Sequence, residues 1–149
     1  MVPEPEGDAF KPVDASHPKL APLLSPLDDH GRRLFVELLR RWQGAGGTLA
    51  FLGKAVAMQA KWEGNVLTFI WAHAKAGAGP PRLEMPFAAL ARKGVPADLL
   101  EEWKDDLTTV AGMGRRVESR SAEVVVDNRL TLGEAIKLVE SAIEIRRRI

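Results

Sequence analysis

Apolar side chains fall on the chain in two rhythms, and each rhythm predicts its own kind of element. Leu34, Phe35, Leu38, Leu39 and Trp42 recur three and four residues apart. Arg32, Arg33, Glu37, Arg40 and Arg41 fall between them, a spacing that predicts an amphipathic helix. Ser25-Pro26-Leu27-Asp28 supplies a start signal for it: a capping hydroxyl, a proline where the first helical N–H needs no partner, and a carboxylate in the first turn. Gly44-Ala45-Gly46-Gly47 ends it. Beyond that the period drops to two. Thr48–Leu52 is a short apolar run. Val56, Met58, Ala60 and Trp62 then alternate with Ala55, Ala57, Gln59 and Lys61, a half-buried strand closed by a turn at Glu63-Gly64-Asn65 in which glycine and asparagine take the positive φ angles.

The next strand, Val66–His73, is apolar on both faces (Leu67, Phe69 and Trp71; Val66, Ile70 and Ala72), which predicts a central position covered by helices. Residues 74–81, rich in glycine and proline, form a loop. Arg82–Phe87 alternates again, and Pro86 assigns it to an edge. Helices follow over Ala88–Lys93 and from Pro96, the second with Leu99, Leu100, Trp103, Leu107 and Val110 buried beneath an acidic face. A strand at Val117–Val126 and a helix from Leu132 to about Arg148, opened by a Thr131/Glu134 capping box, complete the chain. The order α-β-β-β-β-α-α-β-α predicts an α+β fold, a mainly antiparallel sheet of about five strands packed by three or four helices.

Composition changes this picture at the N-terminus. Six of the ten prolines lie in the first 26 residues, where the apolar positions have no period, so residues 1–24 are assigned to a flexible proline-rich acidic arm and 25–149 to a single domain. The net charge of +1 divides accordingly, −4 over residues 1–30 and +5 over the rest. Absence of cysteine excludes disulfides, thiolate metal sites and a cysteine nucleophile. The acidic start is no signal peptide and no apolar run reaches bilayer length, so the expected compartment is the cytoplasm of a bacterium, with no membrane partner.

Candidate chemistry is sparse. His30 follows Asp28 and Asp29, but consecutive helix positions diverge by about 100°, so the trio is read as a helix start and not as a metal site. His73, at a strand end, is a candidate general base, though spacing supplies no carboxylate for it and a structural role is preferred. Gln59 two residues before Lys61 has the spacing of a metal-dependent nuclease. The preceding strand holds no acid to bind the metal, and alternation alone explains both residues.

Lys54 and Lys61 on the sheet, with Arg115, Arg116 and Arg120 before the last strand, form a candidate phosphate-contacting patch, interrupted by Glu118 and Glu123. Trp62, beside the hairpin turn, either caps the core or anchors a partner. The sequence therefore favours a non-enzymatic binding or adaptor module that contacts a protein partner. The alternatives are a nucleic-acid-associated protein using the basic face and, behind it, a metal-dependent hydrolase or nuclease. No cofactor is called for.

Overall fold

A computed structural model describes residues 18–52, 55–74, 81–109, 120–127 and 129–149. Five antiparallel strands follow one another across a single sheet in chain order: β1 (Thr48–Leu52), β2 (Ala55–Trp62), β3 (Asn65–His73), β4 (Arg82–Met85) and β5 (Ala122–Val125). The helices are α1 (Ala21–Leu24), α2 (Asp29–Gly44), α3 (Phe87–Arg92), α4 (Ala97–Thr108) and α5 (Leu132–Arg148). This is the α+β class that the pattern predicts, with one extra turn of helix at the front.

That extra turn lies within the stretch assigned to the arm. Pro22 occupies the first turn of α1, where its missing N–H leaves no bond unmade, and Leu20, Leu23, Leu24 and Leu27 are buried in the core. Residues 1–17, the rest of the arm, lie outside the described residues. Ser25 is no cap: its hydroxyl donates to the Pro22 carbonyl at 3.0 Å. The helix instead starts at Asp29, and Asp28 caps it by accepting the Gly31 N–H at 2.8 Å. Its far end closes as expected. Gly46, at φ 94°, takes the left-handed position that lets the Gly47 N–H reach back to the Trp42 carbonyl at 3.0 Å. At α5 the Thr131/Glu134 capping box is formed in both directions.

Strand register decides which face each side chain joins. Leu49, Met58 and Ile70 stand opposite one another, as do Val56, Ala72, Leu83 and Val124, and all of them belong to the hydrophobic core with the buried faces of α1 to α5. The pairing Met58↔Ile70 is followed by Gln59↔Thr68, so Phe69 is an extra residue, a β-bulge. The bulge turns Phe69 and Ile70 to the same side. Phe69 then lies 5.3 Å from the Trp42 ring and 6.3 Å from Trp103, which meets Phe87 edge-on at 5.2 Å. This aromatic row runs through the centre of the core. Thus β3 is apolar in both parities because a bulge switches the parity, and Trp71 does not share a face with Leu67 and Phe69.

Two further expectations are corrected. Pro86 does not mark an edge: β4 lies between β3 and β5, and Pro86 ends it as the residue before α3, while Phe87 is helical. In the hairpin turn Glu63 (φ 47°) and Gly64 (φ 80°) take the positive angles, and Asn65 already belongs to β3. No helix among the described residues is long and apolar enough to cross a membrane.

Candidate functional site

The face of the sheet turned away from the core is built from the alternate residues of the same strands. Paired registers place Ala50, Ala57, Trp71, Glu84 and Glu123 in one row, and Leu52, Ala55, His73, Arg82 and Val125 in the next. Toward the β2–β3 hairpin, Gln59 and Thr68 follow, joined by a 3.1 Å side-chain hydrogen bond, and then Lys61 opposite Val66. The buried Ala55 and Ala57 stand apart from the hydrophobic core, and the described helices all bury their apolar residues on the other side. Among the described residues the large apolar side chains that stay exposed are Leu52 at 52%, Val66 at 42% and Val125 at 40%, and all three are on this face.

The polar groups of this face pair with one another. Glu84 and Glu123 are directly opposed across β4 and β5, a repulsive arrangement. Each has a diagonal partner: His73 Nε2 lies 3.0 Å from Glu84 Oε1, and Arg82 Nε lies 3.7 Å from Glu123 Oε2. At that separation the buried Arg82 Nε–H keeps the ion pair but has no hydrogen-bond acceptor among the described residues. The Trp71 ring stacks on the His73 imidazole, 6.1 Å between centroids and 21° between planes. A carboxylate holding one imidazole nitrogen is half of an acid–base relay, since it orients the ring and leaves the other nitrogen to handle a proton. The pair equally serves to offset the opposed glutamates. Sequence spacing missed Glu84 because only the register His73↔Arg82 brings it beside the histidine.

Three of the five basic residues expected to form a patch, Lys54, Arg115 and Arg116, lie outside the described residues. Arg120 precedes β5, and its carbonyl accepts the Ala88 N–H at 2.9 Å, tying that segment to the start of α3. Lys61 and Trp62 have a different setting: they line a cavity of about 400 Å³ with Ala45, Ala60, Leu67, Arg146, Arg147 and Ile149. Trp62 is partly buried against the core, and its ring lies beside Gly94, so it is core and cavity wall at once. Arg146 is committed to the scaffold, donating to the Ala45 carbonyl at 2.7 Å and the Gly46 carbonyl at 3.3 Å, with its guanidinium 5.9 Å from the Trp42 ring centre.

His30 is engaged by the backbone. Its Nε2 lies 2.7 Å from the Leu130 carbonyl, which fastens α2 to the segment before α5, and among the described residues no three His, Asp or Glu side chains converge as metal ligands would. No protein-family model, no curated protein and no solved structure matches the chain.

Proposed function

We propose that the protein is a non-enzymatic binding module that docks another protein on the sheet face that no described helix covers. The observation that carries this reading is that Leu52, Val66 and Val125, the exposed large apolar side chains among the described residues, all lie on the face that no described helix covers, at its two edges and its hairpin end. A partner laid across the whole face would remove all three from water together with the Trp71 ring between them. Small floor residues (Ala50, Ala55, Ala57) keep the face shallow around Trp71, a residue type that dominates interface energetics. Lys61, Arg82, Glu84 and Glu123 supply a mixed-charge polar surround. That mixture also favours protein over nucleic acid as the partner, because Glu84 and Glu123 would face the phosphates.

The test compares three baits in native extract, each with and without nuclease: the wild type, Leu52→Asp/Val125→Asp, and Arg147→Glu on another surface. A protein retained by the wild type and Arg147→Glu but lost from the double variant, with nuclease making no difference, is the expected result. Capture that survives the double variant, or that disappears on nuclease treatment, overturns the reading. Both substituted residues of the double variant are exposed, so its fold is expected to persist.

A further inference from the structure

The geometry points to the cavity between the β2–β3 hairpin and the C-terminal turn of α5 as a binding site for a small organic anion, a phosphomonoester or carboxylate with a compact apolar body. Three observations converge on this. The first is charge. Lys61, Arg146 and Arg147 line the cavity, and no aspartate or glutamate is among its lining residues. Only Arg146 is occupied, by the carbonyls that end α2. No ion pair joins Lys61 or Arg147 to an acid among the described residues. Two uncommitted cations beside one concavity raise the local concentration of anions.

The second is backbone. The β1–β2 register ends at Thr48↔Gln59, so β2 runs on past the end of β1, and Ala60, Lys61 and Trp62 have a neighbour only in β3. In an antiparallel ladder successive residues turn their amide and carbonyl to alternate sides. Gln59 turns its carbonyl to the β1 side, where Trp42 Nε1 at 2.9 Å and Thr48 Oγ1 at 3.3 Å donate to it. Two residues on, Lys61 has the same orientation, with no strand alongside. Its N–H is therefore a directed donor at the cavity wall, next to the cationic side chains.

The third is shape and chemistry of the wall. Ala45, Ala60, Leu67, Ile149 and the Trp62 ring provide the apolar lining, and about 400 Å³ falls in the range of small-ligand sites. An aryl or short alkyl group fits against Trp62 and Ile149, with its anionic head toward Arg147 and the Lys61 amide. Binding is by charge-assisted hydrogen bonds, with no bond made or broken. The site shares Lys61 with the uncovered sheet face, but Leu52 and Val125, which test the docking proposed there, are not among its lining residues.

The experiment is a titration of ¹⁵N-labelled protein followed by amide and indole shifts, with phenyl phosphate, phenylacetate and inorganic phosphate as probes. Phenyl phosphate or phenylacetate should move the Trp62 indole and Lys61 amide signals saturably, with a dissociation constant in the millimolar range or below. Whichever organic probe binds more tightly identifies the head group. Arg147→Glu, at an exposed position, should weaken that binding at least about tenfold, and Arg147→Gln by less. Absence of saturation up to about 20 mM, unchanged affinity in Arg147→Glu, or an equal response to inorganic phosphate alone would each overturn the assignment. Shifts confined to Trp71 and its neighbours would do so as well.

Discussion

Gly47→Ala is the substitution whose consequence the geometry fixes most tightly. A methyl group added at Gly47 would lie 2.5 Å from Trp42 Cε2 and 2.6 Å from Cδ1, and closer still to the indole nitrogen. That indole is fully buried and donates to the carbonyls of Thr48 at 3.1 Å and Gln59 at 2.9 Å, so it is held on both sides and cannot swing away without breaking the bond. Overpacking of this kind costs about 1–3 kcal/mol, and a buried donor left without its acceptor adds about 1–3 kcal/mol, or about 3 kcal/mol for partial relaxation of both. With a urea dependence of about 2 kcal/mol per molar, the unfolding midpoint should fall by about 1.5 M. Gly44→Ala is the matched control. Gly44 is the last residue of α2, and nothing lies within 4 Å of where its methyl would stand. Replacing glycine by alanine in a helix stabilises by about 0.5–1 kcal/mol, so this midpoint should rise by about 0.3 M. Urea unfolding followed by tryptophan emission reads both. A midpoint for Gly47→Ala within about 0.3 M of the wild type would show that the indole has room, and the account of Trp42 as a two-sided clamp would be wrong.

Two other comparisons rest on the same reasoning. Asp28→Ala should lower stability by about 1 kcal/mol and Ser25→Ala by only a few tenths, because Asp28 alone caps α2; equal effects in thermal unfolding would return the cap to Ser25. Trp42→Phe should cost more than Trp103→Phe by about 1–2 kcal/mol. Both rings are fully buried, but the Trp42 N–H serves two carbonyls, whereas the Trp103 N–H has no partner among the described residues and its removal relieves an unsatisfied donor. Denaturation midpoints in the reverse order would refute the assignment of hydrogen bonds.

Legibility in the sequence followed how local each signal is. The core face of β2 (Val56, Met58 and Ala60), the buried stripe Leu99, Leu100, Trp103 and Leu107 of α4, and the capping box of α5 are decided within a few residues, and the structure has them as read, although Ala55 and Ala57 on the other side of β2 are buried too. Val110, the last residue assigned to that stripe, lies outside the described residues. The misreadings share a cause: two local signals competed, and packing chose between them. Ser25 and Asp28 are both good caps, and burial of Leu24 and Leu27 on either side of Ser25 gave the role to Asp28. Pro86 reads as an edge residue, and equally as the end of a central strand running into a helix. The bulge at Phe69 leaves no trace in composition, because the residues on both sides of it are apolar whichever face they join.

The candidate sites were less legible than the fold because each depends on distances that no local pattern encodes. His73 meets Glu84 through the register of β3 with β4, and the cavity joins a hairpin at Lys61 and Trp62 to a helix end more than eighty residues away. What the sequence did contain was the means of building that cavity. A two-residue turn at Glu63-Gly64 lets β2 and β3 extend past Thr48, so β1 stops short and the end of β2 lacks a neighbour on one side. The Schellman closure of α2 then places the Ala45 and Gly46 carbonyls where Arg146 can take them, and this draws the basic end of α5 across the gap. Lys61 and Trp62, marked in the sequence as a surface cation and an ambiguous aromatic, therefore owe their shared setting to the ends of three elements. A change to any one of those ends, including one that leaves every cavity side chain in place, should alter anion binding before it alters the fold.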